Sequence, residues 1–178
     1  TDRLAQMIKK LNIDENTVIV NVQGDEPLID PKHIDQVAKL LEDTKADMAT
    51  LCFEIDNVKD VFDLNCVKVV FDKNQKAIYF SRAPIPYERD NFKLGNVQEL
   101  KHKHYHHVGI YAYKAKTVLE YAAMSQTSLE IAESLEQLRL MENGKSIAVG
   151  ICTEPPKTGV DTKEDLDRIN AYLKEIEG

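Results

Sequence analysis

The sequence lacks the features on which several large classes of protein depend. It has only seven glycines in 178 residues and no Gly-rich phosphate loop. It has no apolar run as long as a membrane span and no signal-peptide pattern. The net charge of −7 argues against a nucleic-acid-binding surface, although a local basic pocket for a nucleotide is compatible with it. We therefore predict neither a nucleic-acid partner nor a membrane partner.

Cysteine is scarce and scattered. The three thiols are Cys52, Cys66 and Cys152, an odd number without the close spacing of a disulfide framework or a zinc site. Cys52 and Cys66 lie in apolar, strand-like runs and are predicted to be small core residues. This pattern favours a reducing compartment, and we predict a cytoplasmic protein.

The residues that are present fit one folded domain. Apolar side chains make up 43% of the chain and charged ones 30%, and a chain of this length can bury a sizeable core. Helix and strand patterns alternate along it. Strands are predicted at 17–22, 47–55, 66–72, 77–82, 106–113 and 146–152, and helices near the N-terminus, from Pro31, at 114–123, at 128–143 and from Thr162 to about Ile176. This alternation predicts an α/β domain over residues 1–178 with a mostly parallel central sheet.

One long polar segment interrupts the alternation. Residues 83–103 contain prolines and many charges, so we predict a loop or flap that lies beside the sheet. Two histidines near its end, His102 and His104, are predicted to be exposed.

Two acids follow the first predicted strand in the stretch VNVQGDEPLIDP, residues 20–31. In an open α/β sheet, ligands bind at the carboxyl ends of the strands. Gly24 permits a turn or the close approach of a ligand, and Pro27 prevents the strand from continuing. The stretch therefore predicts a strand that delivers Asp25 into a crevice. A surface turn with solvated acids is the alternative.

A second acid occupies a comparable place. Asp161 lies between the strand at 146–152 and the last helix, where an acid is commonly a cap or a dipole partner. Thr162 can serve as the cap, which leaves Asp161 free for a ligand. Two carboxylates from separate strand ends suit Mg²⁺, which takes oxygen ligands together with substrate phosphates. Asp25 and Asp161 together indicate metal-assisted phosphate chemistry.

Histidines and an arginine mark two further stretches. In a strand, His107, Gly109 and Tyr111 share one face, and their polar groups suit a pocket; a solvated strand entry is the alternative. Arg82 precedes two prolines in a stretch suited to recognising a carboxylate or a phosphate, with a surface salt bridge as the alternative. In LEQLRLMENG, residues 135–144, the leucines are predicted core residues and the polar positions between them a solvated face.

Five blocks of the sequence, taken in order, resemble the 3-deoxy-D-manno-octulosonate cytidylyltransferases, also called CMP-KDO synthetases. The blocks are VIVNVQGDEPLIDP, YFSRAPIPYERD, HHVGIYAYKA, LEQLRLMENGKSIAV and GVDTKEDLDRI. They span essentially the whole chain and favour this family over its relatives that activate sialic acid. The resemblance implies a Rossmann-like nucleotidyltransferase fold and a homodimer. It also implies the transfer of CMP from CTP to KDO, with release of pyrophosphate, for lipopolysaccharide synthesis.

The resemblance also implies roles for individual residues. Asp25 and Asp161 would be catalytic residues and the ligands of Mg²⁺. Arg3, in TDRLA, and Gln23 would lie near the cytidine nucleotide. The residues that would line the sugar pocket are Arg82, His107, Tyr111, Glu136 and Gln137. For Glu136 and Gln137 this role rests on the resemblance alone.

The resemblance is incomplete at the start of the sequence. Members of the family begin with a strand and a Gly-, Arg- and Lys-containing loop that holds the triphosphate, and nothing here matches them. Thr1 opens directly on a helical pattern and aligns well inside the family sequence. We therefore expect this sequence to lack the family's phosphate-loop segment, and a chain without that segment to bind CTP poorly and to be inactive.

Three alternatives stay open. A cytidylyltransferase for another acid sugar, such as sialic acid, would share the chemistry and differ in its pocket contacts. A GT-A-type glycosyltransferase also binds a metal-bound nucleotide sugar, but usually through an Asp-x-Asp pattern, whereas this chain has GDEP. The third alternative is an inactive, truncated domain that dimerises or binds without catalysis.

Overall fold

A computed structural model of the chain describes residues 1–24, 27–93, 95, 97–152, 154 and 163–177, without the side chains of 165, 172 and 175–177. The strands in these ranges are β1 (Val18–Asn21), β2 (Met48–Glu54), β3 (Lys68–Phe71), β4 (Ala77–Ser81), β5 (Tyr105–Lys114) and β6 (Ile147–Ile151). The helices are α1 (Asp2–Lys10), α2 (Pro31–Thr44), α3 (Val58–Phe62), α4 (Arg89–Phe92), α5 (Ala115–Ala123), α6 (Ser128–Glu133), α7 (Gln137–Glu142) and α8 (Lys163–Glu177). Within this part of the chain, no helix has both the length and the apolar character needed to cross a bilayer.

The sheet is organised around β5. The strand order is β4–β3–β5–β2–β6, and β1 also pairs with β5. β5 is antiparallel to β1, β2 and β3, and among the described strands only β2 and β6 pair in parallel. The α/β class is confirmed, but the predicted mostly parallel sheet is only partly borne out, because most of the described pairings are antiparallel. The strands β1, β2, β3 and β6 do run in one direction, but β5 runs against them and separates β1 and β3 from β2.

Local signals set the bounds of α2. The Asp30 side chain accepts a hydrogen bond from the Lys32 backbone N–H at 2.9 Å, and Pro31 occupies the first position of the helix. The helix ends at Thr44, and Lys45, at the C-cap position, has a left-handed φ of 55°. The predicted helix start is therefore confirmed.

The core has two main layers, one on each face of the sheet. One layer packs α1, α5 and α7 against strand residues such as Met48, Phe80 and Ile147. The other packs α2 against residues such as Leu51 and Ile110. Cys52 and Cys66 are buried, as predicted, and burial raises the pKa of each thiol to about 12.

The segment at 83–103 is anchored from within. The carboxylate of Glu88, which is buried, accepts hydrogen bonds from the backbone N–H groups of Lys101 and His102. His102 is exposed, as predicted, but the prediction for His104 is wrong because its side chain is fully buried. The two ring nitrogens of His104 face the carbonyl oxygens of His102, at 3.1 Å, and Pro86, at 2.9 Å. The polar residues around His104 suggested exposure, but the partners of its ring include Pro86, which is distant in the sequence.

Candidate functional site

A cavity of about 500 Å³ opens where β1 ends. Its walls come from the first residues of the chain, the segment after β1, the C-terminal half of β5, α5 and the link between α6 and α7. Five of the residues predicted for the site line this cavity: Arg3, Gln23, Tyr111, Glu136 and Gln137. Its size is that of a small-molecule site, and polar groups from distant parts of the chain meet in it.

A wider cleft of about 1170 Å³ lies elsewhere, between residues 54–60 and 97–103. It contains none of the predicted site residues, and its lining carries charges of both signs that pair with one another, such as Lys103 with Glu54 at 2.6 Å. The smaller cavity is therefore the better candidate site.

The helix predicted at 128–143 is two helices, and the break between them shapes the cavity. Ser134 has a left-handed φ of 53°, and α7 begins anew with Glu136 at its N-cap position. The break has a tertiary cause. The Arg82 side chain donates to the carbonyl oxygens of Glu133, at 2.8 Å, and Ser134, at 3.4 Å, which a continuous helix would use internally.

The same contacts define what Arg82 does in the fold. Its guanidinium also donates to the carbonyl oxygen of Leu64 at 2.9 Å, and its backbone N–H donates to the Glu133 carboxylate at 2.9 Å. Arg82 is not among the residues that line the cavity. Its predicted binding of an anionic sugar group therefore stays a prediction.

The break brings Glu136 and Gln137 to the cavity wall. The Thr1 hydroxyl donates to a Glu136 carboxylate oxygen at 2.8 Å. Gln137 is only 4% exposed, and in the described part of the chain its amide nitrogen Nε2 has no hydrogen-bond acceptor. The solvated face expected from the residues alone is therefore wrong for Gln137. A buried donor that lacks a partner, on a residue that lines a cavity, is a candidate contact for a ligand.

Three tyrosines form much of the cavity wall. Tyr111 and Tyr113 stack with ring centroids 6.2 Å apart, and Tyr121 reaches the cavity from α5. Burial raises the pKa of all three phenols, so each is a neutral hydrogen-bonding group. Asn21 also lines the cavity. Sequence reasoning identified Tyr111 and missed the other three, although the period of two along β5 places Tyr113 on the same face.

His107 lies behind Tyr111, with ring centroids 5.5 Å apart, and is not among the cavity-lining residues. Its Nε2 is 2.9 Å from the Thr50 hydroxyl, which also faces the carbonyl oxygens of Val108 and Ile110. The hydroxyl has one proton and carbonyls only accept, so the His107 Nε2–H is the donor to Thr50. Burial, with a smaller contribution from His106, lowers the His107 pKa to about 3. A direct contact of His107 with the sugar stays a prediction.

The predicted magnesium ligands, Asp25 and Asp161, lie outside the described residues. Gly24, which precedes Asp25 in the sequence, lines the cavity. Among the residues that the structure describes, no group of three or more His, Cys, Asp or Glu side chains could hold a metal. The magnesium site therefore stays a prediction.

Comparison with known proteins identifies the family. Residues 1–147 match a family model described as cytidylyltransferase. The chain belongs to this family. It is 47% identical over 174 residues to the 3-deoxy-manno-octulosonate cytidylyltransferase 2 of Actinobacillus pleuropneumoniae serotype 5b, covering 97% of this chain and 69% of that relative. It is 49% identical over 173 residues to the 3-deoxy-manno-octulosonate cytidylyltransferase of Aliivibrio salmonicida, with coverage of 97% and 69%.

A solved structure supports the same assignment of this cytidylyltransferase. CMP:2-keto-3-deoxy-manno-octonic acid synthetase, solved in complex with CTP, matches with a TM-score of 0.84 and 36% identity. The match covers 98% of this chain and 67% of that one. The resemblance drawn from the five sequence blocks and the nucleotidyltransferase fold are both confirmed.

Proposed function

We propose that this cytidylyltransferase transfers CMP from CTP to the anomeric hydroxyl of KDO, giving CMP-KDO and pyrophosphate. The relatives named above support the reaction, and the solved structure bound to CTP supports the nucleotide. The structural observation that carries the proposal is the Gln137 amide, buried at the cavity wall without an acceptor.

The sugar supplies what the cavity wall lacks. An unsatisfied buried donor costs about 1–3 kcal/mol, and a sugar hydroxyl oxygen is a suitable acceptor for the Gln137 Nε2–H. The neighbouring Glu136 carboxylate is acceptor-only when ionised, so it suits sugar hydroxyl donors. We assign these two residues, with Tyr111, to the sugar end of the cavity. Arg3 and Gln23 are assigned to the nucleotide end.

In the proposed reaction, the oxygen of the anomeric hydroxyl forms a bond to the α-phosphorus of CTP as the bond to pyrophosphate breaks, and the hydroxyl proton is released to solvent. No covalent enzyme intermediate is required. The residues of this chain hold the two substrates in line, which removes much of the entropic barrier to a bimolecular reaction. The proposal includes Mg²⁺ held by Asp25 and Asp161, which when bound would neutralise charge on the triphosphate.

The remaining parts of the proposal rest on the family resemblance and composition. They are a single domain over residues 1–178 with 83–103 beside the sheet, a homodimer, a cytoplasmic location and a role in lipopolysaccharide synthesis.

The test measures pyrophosphate release from CTP by the complete protein, with KDO and sialic acid offered side by side. We expect release that depends on KDO. In addition, Gln137→Ala should raise KM for KDO about five- to tenfold, the effect of losing one hydrogen bond, and Gln6→Ala, an exposed position on α1, should not. Release with sialic acid instead would transfer the assignment to the sister enzyme. No release with either sugar would contradict the proposed function.

A further inference from the structure

A buried ion pair lies behind the sugar end of the cavity. Arg139, on α7, donates from Nε to a Glu130 carboxylate oxygen at 2.7 Å, and its Nη2 donates to the other oxygen. The side chains are 12% and 4% exposed. Glu130 belongs to the capping box at the start of α6, so this pair connects the two helices on either side of the break.

Tyr121 connects the ion pair to the cavity wall. The Arg139 guanidinium lies over the Tyr121 ring, 5.3 Å from its centroid. The Tyr121 hydroxyl donates to the backbone carbonyl oxygen of Glu136 at 2.5 Å. The same carbonyl accepts the backbone N–H of Arg139 at 3.0 Å. Both residues therefore hold the peptide group that joins Glu136 to Gln137.

The orientation of that peptide sets the directions of the two side chains at the cavity wall. The left-handed Ser134 ends α6 before Glu136, so the hydrogen bonds of a continuous helix do not fix this peptide from the α6 side. We propose that Tyr121, backed by the Glu130–Arg139 pair, is a positioning unit that aligns Glu136 and Gln137 and so sets the affinity for the acid sugar without setting the affinity for the nucleotide. This inference rests on the proposed function, because it assigns that sugar to the Glu136–Gln137 end of the site.

The first test is Tyr121→Phe in the complete protein, which deletes only the hydroxyl. We expect KM for KDO to rise about five- to tenfold, the effect of losing the one sugar hydrogen bond that a misaligned Gln137 no longer makes, while kcat and KM for CTP change less than about twofold. The matched control is Tyr105→Phe, which removes a hydroxyl from a half-buried tyrosine of β5 that does not line the cavity. It should leave both KM values unchanged.

A double-mutant cycle tests whether Tyr121 acts through the cavity wall. If it positions Gln137, then Tyr121→Phe combined with Gln137→Ala should raise KM for KDO by less than the product of the two single effects. Arg139→Lys keeps the positive charge but loses the bidentate contact with Glu130. This variant should raise KM for KDO without raising KM for CTP. Independent effects in the cycle would contradict the inference.

The outcomes separate the two proposals. Absence of KDO-dependent release by the parent protein would overturn the proposed function, and this inference with it. If the parent is active and Tyr121→Phe leaves KM for KDO within twofold, or raises both KM values equally, the positioning unit is wrong and the proposed function stands.

Discussion

At the scale of a single residue, His107 illustrates how burial decides chemistry. The ring is 8% exposed and donates to Thr50, where an irregularity in the pairing of β2 with β5 turns two carbonyl oxygens towards the same hydroxyl. Burial lowers its pKa to about 3, so the ring is neutral at physiological pH. His107 is therefore suited to supporting Tyr111 rather than to carrying charge.

This burial predicts a pH dependence of stability. An ordinary histidine has a pKa of 6.5, so below that pH the histidine of the unfolded chain is protonated. In the folded chain His107 stays neutral until the pH approaches about 3. His107 therefore lowers the free energy of unfolding as the pH falls through this window. When the pH falls from 7 to 5, the free energy of unfolding should decrease by about 2 kcal/mol less in His107→Gln than in the parent.

Urea unfolding of both proteins at the two pH values measures this difference. Glutamine retains an N–H donor for Thr50, so the comparison isolates the titration from the loss of a hydrogen bond. Equal losses of stability in the parent and the variant would show that His107 does not carry the dependence.

The predictable and unpredictable site residues differ in where their signals lie. Tyr111 follows from the alternation of faces along β5, because that signal is local. Tyr121 reaches the cavity from α5, and only the packing of that helix brings it there. The burial of Gln137 was equally unpredictable from the sequence, because a polar residue between leucines normally marks a solvated face.

At the scale of elements, the sequence predicts local structure better than it predicts which strands pair. The strands were predictable from their apolar runs, but the antiparallel place of β5 depends on partners far away in the chain. The break between α6 and α7 lies at Ser134 and contains neither glycine nor proline, so the local sequence does not predict it. It depends on Arg82, which is distant in sequence and binds the carbonyl oxygens at the break.

A buried lysine holds the elements beside this break together. The Lys68 ammonium, at the start of β3, donates to the carbonyl oxygens of Asp63, at 2.7 Å, Cys66, at 2.5 Å, and Arg82, at 2.6 Å. The residue is fully buried, and burial lowers its pKa. It therefore fastens the loop before β3 to the chain that leaves β4.

Replacing this lysine tests the role. Lys68→Met keeps an apolar stem of similar length but leaves three carbonyl oxygens without their donor, so the free energy of unfolding should fall by about 2–4 kcal/mol. Lys73→Met, in the exposed turn between β3 and β4, should change it by less than about 0.5 kcal/mol. Chemical denaturation compares the two variants. Similar small effects would mean that water replaces the ammonium at no cost and that Lys68 does not fasten the loop.

At the scale of the whole molecule, the cavity is assembled from segments that lie far apart in the chain, from Thr1 to Gln137. A ligand that binds there in the folded chain and not in the unfolded one stabilises the folded state as a whole. The chain carries a net charge of −7 and CTP is also anionic, so binding requires local positive charge. The proposed Mg²⁺ at Asp25 and Asp161 would supply part of it.

Thermal unfolding of the complete protein tests this proposal for the metal. With Mg²⁺ present, CTP at 100 times its Kd should add about 2.7 kcal/mol and raise Tm by roughly 5–10 °C. Chelation of the metal, Asp25→Asn or Asp161→Asn should each remove the Mg²⁺-dependent part of that increase, whereas Asp35→Asn, on the exposed side of α2, should retain it. A full Mg²⁺-dependent increase in Tm in either site variant would exclude that carboxylate as a ligand. Loss of a true ligand must weaken the binding of the metal that the nucleotide needs.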